Sequence, residues 1–155
     1  MTPQLASLDP GSDMDPVRAL FREYQVALGV DLGFQGFEAE LAGLPGHYAP
    51  PRGRLLLASI EGACAGCIAL RPVDAETCEM KRLYVRPEFR ASGLGRLMAQ
   101  RVIDEARAID YRRMWLDTLP SMAGAQRLYE SLGFRDIPAY RYNPIAGTRF
   151  LGLEL

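Results

Sequence analysis

The chain has 155 residues, enough for one domain with a substantial core and short for two. Its hydrophobic fraction of 48% and charged fraction of 24% are ordinary for a globular protein, and a formal net charge of −1 gives no overall pull toward nucleic acid or an anionic membrane. No window approaches the roughly 18 consecutive apolar residues of a membrane span, and MTPQLASLDPGSDMDP lacks the basic start and apolar run of a secretory signal.

In chain order, a short strand is expected around Pro3 to Leu8, ended by the turn signal Asp9-Pro10-Gly11. Asp13 or Asp15 then caps a helix to about Leu28, with Pro16 in its first turn. Its apolar residues Val17, Leu20, Phe21, Tyr24 and Leu28 recur at spacings of three and four. A second short helix covers about Gly36 to Leu41, and the Pro/Gly-rich stretch Leu44 to Gly53 is a loop. Leu55 to Ile60 and Ala63 to Leu70 are apolar runs joined by Glu61-Gly62, a hairpin signal, and Thr77 to Val85 is a further strand. Gly93 to Ile109 is helical, with Leu94, Leu97, Met98, Val102, Ala106 and Ile109 on one face. A strand at Arg113 to Asp117 follows, then a helix from Ser121 to Leu132 stopped by Gly133. A weak strand near Tyr140 and a clearer one from Phe150 to Leu155 complete the chain. Antiparallel strands followed by strand–helix–strand–helix–strand give a mixed α/β sheet with helices on its faces.

Of 18 basic residues, only Lys81 is a lysine, which base composition alone can produce. Cys64, Cys67 and Cys78 are an odd number and point to a reducing cytoplasm. Cys64-Ala65-Gly66-Cys67 has C-x-x-C spacing, but in a strand the two thiols face opposite ways, so no metal is expected. His47, the single histidine, falls in the Pro/Gly-rich loop and is read as surface or pocket rim.

The richest chemistry lies in RLYVRPEFRASGLGRLM, residues 82–98, where strand becomes helix. A helix start carries unpaired backbone N–H groups and partial positive charge, glycine admits a ligand close to the backbone, and Arg90 and Arg96 flank the turn. Together these make a site for phosphate or pyrophosphate. Neither a P-loop nor the dinucleotide fingerprint G-x-G-x-x-G fits the stretch.

Arg90-Ala91-Ser92-Gly93-Leu94-Gly95 does match [QR]-x-x-G-x-[GA], and so resembles the acetyl-CoA pyrophosphate loop of the GNAT superfamily of N-acetyltransferases. Glu79 to Pro87 resembles that family's strand leading into the loop. Ala125-Gln126-Arg127-Leu128-Tyr129-Glu130-Ser131-Leu132-Gly133-Phe134 resembles its second hallmark, A-x-x-L-Y-x-x-x-G-F.

The resemblance implies a single domain over residues 1–155 with a mixed, mostly antiparallel sheet of about six to seven strands. Helices would cover both faces, and the central parallel strands would splay. It implies acetyl-CoA as co-substrate, held along Leu83, Tyr84 and Val85 by backbone hydrogen bonds to the pantetheine arm. The backbone N–H groups of Ala91, Ser92, Gly93, Leu94, Gly95 and Arg96, with Arg90, would hold its pyrophosphate. Glu79 stands at the position of the general base and Tyr129 at that of the general acid. Met122 replaces an asparagine common in the family, a change Ser121 can compensate. The acceptor site would draw on Tyr24, Phe34, Phe37, Tyr48, Arg141, Tyr142 and Asn143, with Arg141 able to meet a carboxylate. The implied reaction is direct acetyl transfer to a primary amine of a small molecule, in the cytoplasm, without a nucleic-acid or membrane partner; a homodimer is compatible with it. A protein N-terminus or lysine as acceptor, or a non-catalytic acyl-CoA-binding module, are the alternatives.

Overall fold

The computed structural model describes residues 2–155. Seven strands form one sheet: β1 (Gln4–Ser7), β2 (Arg54–Ile60), β3 (Ala63–Pro72), β4 (Thr77–Val85), β5 (Arg113–Thr118), β6 (Arg135–Asp136) and β7 (Arg149–Glu154). Their spatial order is β1-β2-β3-β4-β5-β7-β6, antiparallel throughout except for the β4–β5 pair. Four α-helices accompany them: α1 (Asp15–Leu28), α2 (Phe37–Ala42), α3 (Leu94–Ala108) and α4 (Ala123–Ser131).

Alternating side chains divide the sheet into two apolar faces. On one face Leu56, Ile68, Leu70, Met80, Leu83, Met114 and Leu116 pack against Leu94, Met98, Val102 and Ile103 of α3 and against Tyr129 of α4. On the other, Leu55, Cys67, Ala69 and Tyr84 pack against Val17, Leu20 and Phe21 of α1 and against Phe37 and Leu41 of α2. The β2–β3 hairpin turns through Glu61 (φ 51°) and Gly62 (φ 81°), the two left-handed residues that such a turn requires.

β4 departs from regular alternation once. Cys67 opposes Tyr84 and Ala69 opposes Lys81, so β4 carries one extra residue in this interval, and Arg82 adopts a left-handed φ of 61°. In consequence Lys81 and Arg82 face the α1–α2 side in succession. Arg82 forms a bidentate ion pair with Glu40, at 2.9 and 2.8 Å, and lies over the rings of Tyr24 and Phe37. Burial alone would raise the Glu40 pKa; the bonds and charge of Arg82 hold it below its ordinary value.

Three details differ from the sequence expectation, one being Leu97, which is exposed rather than on the buried face of α3. Residues around Tyr140 form no strand, and the added edge strand is the two-residue β6 instead. Aromatic character at Tyr140 serves packing: its ring lies 4.8 Å from Trp115 and 5.3 Å from Phe150. At the start of α1 the cap position is Met14, with no side-chain cap, while Asp13 accepts a hydrogen bond from the Asp15 N–H.

Gly66 is fixed by close approach. A Cβ there would lie 2.4 Å from the Tyr84 carbonyl oxygen and 3.1 Å from Met98 Cε, beside the part of β4 that precedes the glycine-rich loop. Gly66→Ala is therefore expected to destabilise the fold by about 2 kcal/mol, read as a fall of roughly 4–8 °C in thermal midpoint. An unchanged midpoint would show that β3 and β4 separate without cost.

Candidate active site

Parallel pairing of β4 with β5 lasts for three residue pairs, Thr77–Arg113, Cys78–Met114 and Glu79–Trp115, and then stops. From Met80 to Val85 the β5-facing edge of β4 is unpaired, and the gap opens into two adjoining spaces.

The first is a cleft of about 460 Å³ bordered by Leu83, Tyr84, Val85, Phe89 and the loop into α3 on one side and by Ser121, Met122, Ala125 and Leu128 on the other. Ala91 (φ 62°) and Gly93 (φ 84°) turn the chain so that α3 points its N-terminus at this cleft. The first in-helix acceptor is the Gly93 carbonyl, bonded by the Leu97 N–H. The amides of Gly95 and Arg96 therefore precede the helical ladder. Nothing lies within 4 Å of the position a Gly93 Cβ would occupy, which leaves the loop open to a ligand.

Arg90, Ala91, Gly93, Leu94 and Gly95 line the cleft. The side chains of Ser92 and Arg96 do not: Ser92 Oγ donates to the Phe89 carbonyl, and Arg96 donates to Ser131 Oγ. Arg90 folds back, with Nε donating to the Val85 carbonyl at 2.9 Å and its guanidinium over the Tyr84 ring. One carbonyl of the expected pantetheine edge is thus already engaged. Met122 and Ser121 both border the cleft where the family's asparagine is absent.

The second space is a slot of about 30 Å³, large enough for one water-sized group. Its walls come from both apolar faces, with Met80, Leu83 and Tyr129 from one and Leu28, Leu32 and Leu119 from the other. The slot therefore passes between the strands. Tyr24, Leu28, Leu83 and Met122 border slot and cleft alike.

Tyr129 reaches the slot because of its own motif. Gly133 takes φ 102°, the chain reverses, and Phe134 returns its N–H to the Tyr129 carbonyl and its ring to within 5.8 Å of the Tyr129 ring. Burial raises the Tyr129 pKa, so its hydroxyl stays protonated at neutral pH. Thr118 Oγ1, buried beside it, has no hydrogen-bond partner among the described residues.

Charged residues gather on the α1–α2 side. Glu79, whose side chain has no exposed surface, accepts from Arg71 Nε at 2.8 Å, Arg141 Nη2 at 2.7 Å and the Tyr140 hydroxyl at 2.6 Å. Burial pushes its pKa up, but Lys81, Arg71, Arg141 and the Tyr140 bond outweigh it and hold the carboxyl below its ordinary value. Glu79 does not border the slot; Asp117 does, with Asn143 Nδ2 at 3.4 Å from Oδ2. Lys81 also borders it, and burial together with neighbouring Arg82 pushes its pKa down to about 8.

Among the expected acceptor residues, Tyr24 and Asn143 line the slot and Arg141 binds Glu79. Phe37 and Tyr48 are buried in the α1–α2 core, whereas Tyr142 is 80% exposed. Cys67 is buried and Cys64 half-buried, all three cysteines are free, and the described residues hold no group suited to a metal ion. His47 is exposed.

A model of the Acetyltransferase (GNAT) family matches residues 17–134, which span the splayed strands, the loop and both hallmark motifs. The chain belongs to the GNAT family. An uncharacterized N-acetyltransferase of Schizosaccharomyces pombe is 41% identical over 145 residues, covering 92% of this chain and 89% of that protein. Among solved structures, a Streptococcus agalactiae acetyltransferase superposes with a TM-score of 0.81 at 20% identity, covering 99% and 98% of the two chains. A GNAT acetyltransferase of Elizabethkingia anophelis with acetyl-CoA bound superposes with a TM-score of 0.64 at 22% identity, covering 99% and 98%.

The sequence reading of this GNAT enzyme did not single out Lys81, Asp117 and Thr118, which border the slot, or Tyr140 as a partner of Glu79. Lys81 did carry a signal, being the one lysine among 18 basic residues and lying in an apolar-alternating strand. Its depressed pKa also has a thermodynamic consequence. Between pH 8 and about 10.5 the unfolded lysine keeps a proton that the folded one has lost, so stability rises with pH across that window. Below pH 8 the full penalty applies, about 3 kcal/mol at 1.36 kcal/mol per pKa unit. Lys81→Met is expected to raise the thermal midpoint at pH 7, with the advantage over wild type shrinking as pH approaches 10.5; a pH-independent difference would sink this reading.

Proposed function

We propose that the protein transfers an acetyl group from acetyl-CoA to a primary amine of a small molecule by direct attack. The observation that carries this reading is the junction of cleft and slot at Tyr24, Leu28, Leu83 and Met122. A long donor lying in the cleft, with pyrophosphate at the Arg90–Arg96 loop and pantetheine along the free edge of β4, would bring its thioester to the mouth of the slot. The narrowness of the slot favours a small acceptor over a protein segment. Three free cysteines are consistent with a reducing, cytoplasmic setting.

An alkylammonium has a pKa of about 10, so roughly one molecule in a thousand is nucleophilic at pH 7, and a base must take its proton. Glu79 is the carboxylate expected for that task, but it does not border the slot and its oxygens already accept three hydrogen bonds. We assign Glu79 the positioning of Arg141 and Tyr140, and assign proton removal to Asp117 on the slot wall, directly or through a water. The freed amine attacks the thioester carbonyl carbon, forming the C–N bond. Collapse of the tetrahedral intermediate breaks C–S, the Tyr129 hydroxyl protonates the departing thiolate, and the excess proton left on the nitrogen returns to the tyrosine oxygen, directly or through water.

Thiol release from acetyl-CoA against a panel of amines, amino acids and peptides tests the reaction. Saturable release with small amines is expected; CoA binding without acceptor-dependent release would mean a binding module. Tyr129→Phe and Asp117→Asn should each lower kcat by about 10²-fold or more, with the KM for acetyl-CoA within threefold of wild type. Glu79→Gln should lower the thermal midpoint by stranding Arg71 and Arg141. If it instead abolished kcat at unchanged stability while Asp117→Asn remained active, Glu79 would be the base.

A further inference from the structure

We propose that Lys81 binds a carboxylate of the acceptor, so that the amine acetylated here belongs to an amino-acid-like molecule. The inference rests on the transferase reading above and adds the substrate class. Lys81 is 6% exposed, yet among the described residues it joins no ion pair. Its single hydrogen bond goes to the neutral Gln35 Oε1, at 3.1 Å, leaving two of three ammonium protons without a protein acceptor. A buried cation in this state is costly unless something compensates it.

The neighbouring carboxylates are not free to do so. Glu40 is taken by the bidentate bond from Arg82. Glu79 is taken by Arg71, Arg141 and Tyr140. Asp117 lies on the slot wall but outside ion-pair distance, and its nearest partner is Asn143. Apart from the balanced Arg82–Glu40 pair, the cluster holds three cations, Arg71, Lys81 and Arg141, against two carboxylates, Glu79 and Asp117. Glu79 is shared by Arg71 and Arg141, which leaves Lys81 and Asp117 at the slot as one unpaired cation and one unpaired anion.

A bound zwitterion completes this pattern. Its ammonium group meets Asp117, and its carboxylate takes the place of Gln35 Oε1 on the Lys81 ammonium. Gln35 borders both the slot and a hollow of about 300 Å³ lined by Glu40, His47, Tyr48 and Arg71. Displacing Gln35 joins the two spaces and gives the body of the acceptor room that the 30 Å³ slot lacks.

The test compares amino acids with their carboxamides, which keep the amine and side chain and lose only the carboxylate charge. Wild type is expected to favour at least one acid over its amide by tenfold or more in kcat/KM. Lys81→Met and Lys81→Gln should raise KM for that acid tenfold or more, leave KM for acetyl-CoA within twofold, and bring the acid-to-amide ratio near one. Equal use of acid and amide by wild type would overturn the proposal. So would an equal loss of kcat on both in the variants, which would make Lys81 a proton-transfer group. Calorimetric titration of the same amino acids into the protein saturated with CoA gives a readout that needs no turnover. Binding lost in both variants supports the carboxylate site even if no acetyl transfer occurs, whereas no binding of any acid to wild type overturns it. Failure of acetyl transfer alone counts against the transferase reading.

Discussion

Everything the site does depends on β4 and β5 being hydrogen-bonded for three residue pairs and then parting. Backbone donors and acceptors left unpaired inside a sheet are costly unless solvent, side chains or a ligand satisfies them. The separation begins immediately after Glu79 and Trp115, where Arg71, Arg141 and Tyr140 bind the buried Glu79 carboxylate. These contacts tie β3, β4 and the chain around residue 140 together at the point of divergence. The Tyr140 ring, packed between Trp115 and Phe150, seals the apolar side of the same junction.

Beyond that junction, the two sides of the gap have different chemistry. The α3–α4 side offers apolar walls, a protonated tyrosine and an unpartnered threonine hydroxyl. The α1–α2 side offers a lysine, a carboxylate and an asparagine amide. In the proposed reaction, proton donation to the leaving group and recognition of a charged acceptor fall on opposite faces of one sheet. A structural core would not retain an unpaired lysine that is disfavoured in its charged form, and stability surrendered at a site is a common accompaniment of function.

Most of the architecture was legible in the sequence because its elements obey simple periods. The Thr77–Val85 strand, the Glu61-Gly62 hairpin and the helix starting after Gly93 all fall where alternation, turn chemistry and glycine placement put them. The Arg90–Gly95 and Tyr129–Phe134 motifs marked the cleft and slot for a physical reason: each contains a glycine whose left-handed backbone re-aims the chain at the gap. What could not be read was partnership. Glu79 is recognisable as a carboxylate on a central strand, but its saturation by Arg71, Arg141 and Tyr140 depends on contacts up to 62 residues away in sequence. Asp117 and Thr118 sit at the end of a short strand with no motif around them, and only the splay opens a slot beside them. Tyr140 has an aromatic character that suits a strand, yet its packing on Trp115 is made from a loop.

The extra residue at Arg82 gives the central strand two reading frames. Upstream, Glu79 and Lys81 face the acceptor side while Cys78 and Met80 fill the α3 core; downstream, Leu83 and Val85 take the core side and Tyr84 the other. In an uninterrupted strand the pattern would run on, sending Arg82 into apolar packing and Leu83 out of it. The bulge therefore works as a joint between two independently phased segments, which in the proposed reaction face the acceptor and the donor respectively. On that reading, substitutions before Arg82 alter the acceptor side without shifting the main-chain edge after it, so the choice of acceptor is the more evolvable half of this strand.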